Sequence, residues 1–223
     1  MKATDTVSNR LADAAKLEVP LSVISRLRRL ATTAPSAVEA PQEKCDFCGR
    51  SIPTEHRHFA DLAQMKFLCA CEMCAVLQAE RGEFKPLPQR YLRLDDFQMP
   101  DDLWGRFEVP VDMAFFTFSS AHQRVVAFYP APTGATESEL RLEAWEQVVA
   151  MNPVLRELTP DLAALLVNRT NKASDYFLVP IDTCYHLVGL MRSSWHGISG
   201  GSEALEAIGK FFDELKASTT CPT

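Results

Sequence analysis

Two short cysteine stretches carry the chemistry of this chain: Cys45-Asp46-Phe47-Cys48-Gly49 and, downstream, Cys69-Ala70-Cys71-Glu72-Met73-Cys74. The pairs Cys45/Cys48 and Cys71/Cys74 are both Cys-x-x-Cys, with 22 residues between Cys48 and Cys71. That is the spacing of a site with four thiolate ligands. Zinc is the expected metal, because this borderline-soft ion favours sulfur and takes four ligands in a closed structural site. Five of the seven cysteines fall within this one stretch of 30 residues.

The expected ligand set is Cys45, Cys48, Cys71 and Cys74. The second stretch has three thiols for two places, so Cys69 competes with Cys71. His56-Arg57-His58 adds two imidazoles. In an extended stretch, side chains two apart point the same way, so His56 and His58 can both face a metal. Cys69, His56 and His58 therefore stand as alternative ligands or close neighbours of the ion. An iron–sulfur cluster also takes four thiolates and stays open as the alternative cofactor.

Three elements must hold these ligands in place. Gly49 lets the chain turn tightly behind the first pair, so that backbone N–H groups point at sulfur. Phe59 to Leu68 can form a hairpin arm. Cys74-Ala75-Val76-Leu77-Gln78-Ala79-Glu80-Arg81 is a run of good helix formers stopped by Gly82. Knuckle, hairpin and helix in that order predict a treble-clef-like module over residues 43–94. Ahead of it, residues 1–42 read as an amphipathic helix over Pro20–Ala34 followed by a Pro-containing linker.

Composition narrows the partners. The formal charge of −6 is uneven: residues 1–94 carry 14 Lys/Arg against 11 Asp/Glu, and residues 95–223 carry 9 against 18. So acidic a C-terminal part repels a phosphate backbone, and the mildly basic N-terminal part lacks interleaved aromatics, which argues against nucleic acid as the partner. No apolar run approaches the ~20 residues that span a bilayer. The first residues lack the apolar core of a signal peptide, and clustered cysteines without one point to metal ligands in a reducing cytoplasm.

Residues 95–223 predict an acidic α+β domain. Val111–Phe118 and Val125–Tyr129 are β-branched and aromatic runs joined by a hairpin-like polar stretch. Thr136-Glu137-Ser138-Glu139 has the form of a capping box opening a helix through Trp145 and Val148. Ala164–Asn168 and Tyr176–Pro180 repeat the strand pair at an offset of 50, and Asp182 suits the cap of the next helix. A tandem strand–strand–helix repeat, with a mostly antiparallel four-stranded sheet covered on one face, is the expected architecture. A last helix over Glu203–Lys216 adds Leu205, Ile208, Phe211, Phe212 and Leu215 to the core.

A search for catalysis finds no constellation. Cys184 and His186 are two apart on a predicted helix and point to different sides. Cys221 lies near the end of the chain. Trp195-His196-Gly197-Ile198-Ser199-Gly200-Gly201 suits an anion-holding loop but fits no nucleotide fingerprint. The expectation is a protein that is not an enzyme.

Together the cysteine stretches, His56-Arg57-His58, Phe128-Tyr129-Pro130, Gly134-Ala135-Thr136-Glu137-Ser138, Leu166-Val167-Asn168-Arg169, Val179-Pro180-Ile181-Asp182, Trp195 and Gly200-Gly201 resemble an uncharacterised bacterial family often encoded beside nickel–iron hydrogenases and their maturation proteins. The resemblance covers about residues 20–215. It implies a role in hydrogenase assembly or electron transfer, with hydrogenase subunits or maturation factors as partners, and brings no catalytic residue. The sequence therefore predicts a cytoplasmic, zinc-binding accessory or subunit protein that works by protein–protein interaction; electron transfer through an iron–sulfur cluster is the alternative.

Overall fold

The computed structural model describes residues 42–138, 142–194 and 201–219. The expected helix at 20–34 with its linker, the end of the capping box at Glu139, the loop from Trp195 to Gly200, and Cys221 lie outside the described residues. Glu43–Thr223 forms one compact unit, an α+β fold in which every strand pairing is antiparallel.

The N-terminal part of this unit is a small three-stranded sheet and one helix. Strands β1 (Arg57–Asp61) and β2 (Lys66–Ala70) form a hairpin, and β3 (Lys85–Pro86) lies on the other side of β1. The turn is capped by Asp61, whose carboxylate accepts the N–H groups of Ala63 and Gln64 at 3.1 and 2.9 Å. Helix α1 (Glu72–Arg81) follows β2 directly and ends at Gly82, whose φ of 69° is the left-handed cap that glycine adopts without strain.

Beyond β3 the chain crosses into a six-stranded sheet of order β4-β9-β8-β5-β6-β7. Its strands are β4 (Leu92–Arg93), β5 (Met113–Ser119), β6 (Arg124–Ala131), β7 (Gly134–Ser138), β8 (Ala163–Asn168) and β9 (Asp175–Pro180). An offset of 50 carries Met113 of β5 onto Ala163 of β8, so the two strand pairs do recur along the chain. A helix comes after each pair, but the two helices pack on opposite faces of the sheet. Helices α2 (Asp101–Gly105) and α3 (Leu142–Met151) pack on one face; α4 (Ile181–Ser194) and α5 (Gly201–Ser218) pack on the other.

Two expectations about the sheet, and one about the capping box, are corrected here. The sheet has six strands rather than four, and helices cover both faces rather than one. The physical reason lies in the strands. Ala114, Phe115 and Phe116 in β5, and Ala164 to Val167 in β8, are apolar at every position. Alternation then sends Phe115, Leu166 and Phe177 to the α4/α5 side, and Phe116, Leu165 and Leu178 to the side of Trp145 and Val148. Glu137 and Ser138, read as part of a capping box, belong instead to strand β7, where Glu137 pairs with Phe128 and Ser138 with Ala127. The turn through Pro132, Thr133 and Gly134, with Gly134 at φ 132°, folds the chain back before a helix can start.

The two parts meet on the hairpin. Phe59, Leu68 and Ala70 face a small cluster with Phe47, Ala75 and Phe84. Ala60 on the opposite face joins the core beneath α4 and α5, and the Phe67 ring lies 5.5 Å from that of Tyr185 on α4. No helix among the described residues is long and apolar enough to cross a membrane.

Candidate metal centre

The first cysteine pair sits on a tight turn held by its own backbone. Cys45 N–H donates to Arg50 O and Gly49 N–H to Cys45 O, both at 2.8 Å, while Lys44 and Ser51 form an isolated antiparallel bridge behind them. Gly49 stands at φ 71°, as the knuckle requires. The second pair stands at the start of α1: Cys71 is its N-cap residue in extended conformation, and Cys74 lies in the first turn. Asp46 fastens one stretch to the other, exchanging backbone and side-chain hydrogen bonds with Cys69 at 2.9 and 2.6 Å.

This brings four sulfurs together. The Sγ atoms of Cys45, Cys48, Cys71 and Cys74 all lie within 4.8 Å of one another, with Cys48 and Cys71 3.8 Å apart. A tetrahedral ion with metal–sulfur bonds of about 2.3 Å places its ligands roughly 3.8 Å apart, so the donor set fits a single metal ion. The environment favours thiolate at Cys45. Burial pushes the Cys45 thiol up, but backbone N–H groups of Cys71, Phe47 and Cys48 outweigh it and draw its pKa down to about 6. Cys74 moves the opposite way, to about 12, chiefly through the hydrogen bond with Cys71. Four thiols this close cannot all ionise without a cation.

Cys69, His56 and His58 form a second group, with their ligand atoms within 4.8 Å of one another. Cross-strand register explains it. His58 pairs with Cys69 across the hairpin, so both side chains stand on the face opposite Phe59 and Leu68. Cys69 thereby faces the imidazoles, while Cys71, past the end of β2, turns to the other three thiols. Burial, followed by the nearby carboxylates of Asp46, Glu43 and Asp182, raises the Cys69 thiol.

Asp182 is the residue that sequence reasoning assigned to another task. It lies inside the first turn of α4, and its carboxylate accepts a hydrogen bond from His58 Nδ1. That bond, with burial opposing it, raises the His58 pKa. The two residues are 124 positions apart, and nothing in the local pattern of either announces the contact. Cys184 is fully buried among the side chains beneath α4, and His186 stacks on Phe211 with ring centroids 5.9 Å apart, so the two do not form a dyad.

No curated protein and no solved structure matches the chain. A family model described as "Family of unknown function (DUF5947)" matches residues 44–219. That span starts at the first knuckle and ends with the last described helix, and the chain accordingly belongs to the DUF5947 family.

Proposed function

We propose that this protein is a non-enzymatic, zinc-binding accessory protein that docks on a protein partner in the cytoplasm. In this assignment Cys45, Cys48, Cys71 and Cys74 hold one structural Zn²⁺. The knuckle, hairpin and helix then act as a treble-clef-like module, in which the ion fixes the start of α1. The acidic α+β part is the platform on which the module is mounted.

The observation that carries the docking role is the outward face of α1. Met73, Val76 and Leu77 sit at helical spacing on one side and are 68, 61 and 52 % exposed. A helix whose N-terminus is clamped by cysteines and whose apolar face is left in solvent suits insertion into a partner's groove. The resemblance in motif order makes a nickel–iron hydrogenase subunit or maturation factor the first partner to test.

The experiment is affinity purification of the tagged full chain from its native host, beside a Met73→Glu/Val76→Glu variant. A hydrogenase component bound to the native chain and lost from the variant is the expected result. Native protein that brings down no such component overturns the partner. Metal analysis of anaerobically purified protein tests the ion: zinc and no visible colour are expected, whereas iron with visible absorption replaces the structural ion by an iron–sulfur cluster.

A further inference from the structure

We infer that His56, His58 and Cys69 form a second metal site, separate from the four-cysteine centre, which binds a divalent transition-metal ion and keeps one coordination position open to a cleft. The inference starts from where the imidazole protons must be. His56 Nδ1 lies 2.9 Å from Pro53 O and 3.1 Å from Thr54 O, with Glu43 Oε2 at 3.5 Å. All of these are acceptors, so Nδ1 of His56 carries the hydrogen and its lone pair is on Nε2. His58 Nδ1 donates to Asp182 Oδ2, which puts the lone pair of this ring on Nε2 as well.

Those two Nε2 atoms are 2.8 Å apart. As neutral rings they would bring lone pair against lone pair with no hydrogen between them, which is repulsive. A cation shared by both nitrogens removes the repulsion, and it is either a proton or a metal ion. Cys69 decides between them. A proton shared by two imidazoles needs no third group, yet the Cys69 sulfur comes within 4.8 Å of a ring nitrogen of each histidine from the facing strand. A tetrahedral ion, which spaces its nitrogen ligands roughly 3.3 Å apart, is accommodated when the two rings part by about half an ångström. Two imidazole nitrogens and one thiolate are a donor set for Zn²⁺ and its neighbours in the first transition row.

The surroundings support the same assignment. A carboxylate on the far nitrogen of a ligating histidine fixes its tautomer and sharpens its lone pair, and Asp182 does this for His58. The His56 side chain is 4 % exposed, so its orientation is set by packing. Three protein ligands leave a tetrahedral ion one position short. His56, His58 and Asp182 line a cleft of about 940 Å³, together with Arg50 and Tyr91, from which water or another small ligand can complete the shell. The four-cysteine centre is closed by its own thiolates; this one is of the exchangeable type. All three ligands come from the hairpin and the residue just before it, and α4 contributes only Asp182, through its hydrogen bond to His58.

The test is metal stoichiometry on the full chain, stripped and re-equilibrated with Zn²⁺. About two equivalents per chain are expected. His56→Ala and Cys69→Ser should each lower this to about one, the remaining zinc reporting that the cysteine centre and the fold survive. Asp182→Asn should keep the second zinc with affinity weakened roughly 10- to 100-fold. With Co²⁺ in both sites, added imidazole should shift the spectrum of the native chain and not that of Cys69→Ser. A native chain that binds one equivalent, lost in Cys48→Ser and retained in His56→Ala and Cys69→Ser, overturns the second site and leaves the proton as the shared cation. One equivalent lost in Cys69→Ser but retained in Cys48→Ser overturns the four-cysteine centre instead and upholds this one.

Discussion

Under the proposed metal assignment, removing an ion held by Cys45, Cys48, Cys71 and Cys74 should open one part of this molecule and leave the rest closed. The small cluster beneath the knuckle has only three buried members, Phe59, Leu68 and Ala70. Burying Phe59 and Leu68 contributes about 1.5–3 kcal/mol each. Ordering the ten residues of α1 alone costs about 10–20 kcal/mol of backbone entropy. A structural zinc site in a small module supplies about 10–16 kcal/mol at neutral pH, which closes the gap. Chelation, or Cys48→Ser, should therefore deprotect the amides that the knuckle and helix order: Gly49 N–H to Cys45 O, Asp46 N–H to Cys69 O, and Ala75 N–H to Cys71 O. Amides of β5, β8 and β9 pair in the middle of the six-stranded sheet and should keep their protection. Native-state hydrogen exchange with and without chelator reads both groups at once. Equal loss across the chain, or no loss at the knuckle, would refute the claim that sulfur–metal bonds hold this module.

Three further outcomes follow from the fold. Phe116→Ala removes a fully buried ring stacked on Trp145 at 5.2 Å and should cost about 3–5 kcal/mol in urea titration. Gly82→Ala meets no neighbouring atom but forces a side chain onto φ 69°, so thermal denaturation should show a loss of about 1 kcal/mol. Stability should also fall on the alkaline side. Burial pushes the Cys184 thiol and the phenols of Tyr91, Tyr176 and Tyr185 above their ordinary values. The unfolded chain then releases those protons first, so their contribution is complete below the ordinary thiol value and declines from roughly pH 8.5 upward. Urea midpoints measured across that range should show the decline, and Tyr185→Phe should make it shallower.

How much of this was legible in the sequence differs from element to element. The Cys-x-x-Cys spacing, Gly49 and Gly82 are local signals, because a tight turn and a helix stop are decided within a few residues of backbone. The hairpin, the helix after Cys71 and the two strand pairs at an offset of 50 are likewise written in nearest-neighbour chemistry and short runs of β-branched and aromatic residues. Apolar residues at consecutive positions of β5 and β8 also carried the sign of a sheet buried on both faces. A one-faced sheet would have left half of them in water.

Other features were fixed by partners far away in the chain. Cys-x-x-Cys spacing favours Cys71 over Cys69 as the partner of Cys74 but says nothing of what Cys69 faces. Cross-strand register separates them, placing one opposite His58 while the other turns at the cap of α1. Asp182 has the composition of a helix cap, and only the packing of α4 on the hairpin turns its carboxylate toward an imidazole 124 residues earlier. The sequence by itself determined that sulfur and nitrogen donors would gather at the N-terminal end of the fold. Tertiary structure divided them into two groups, because which face of a strand a side chain occupies depends on what that strand is packed against.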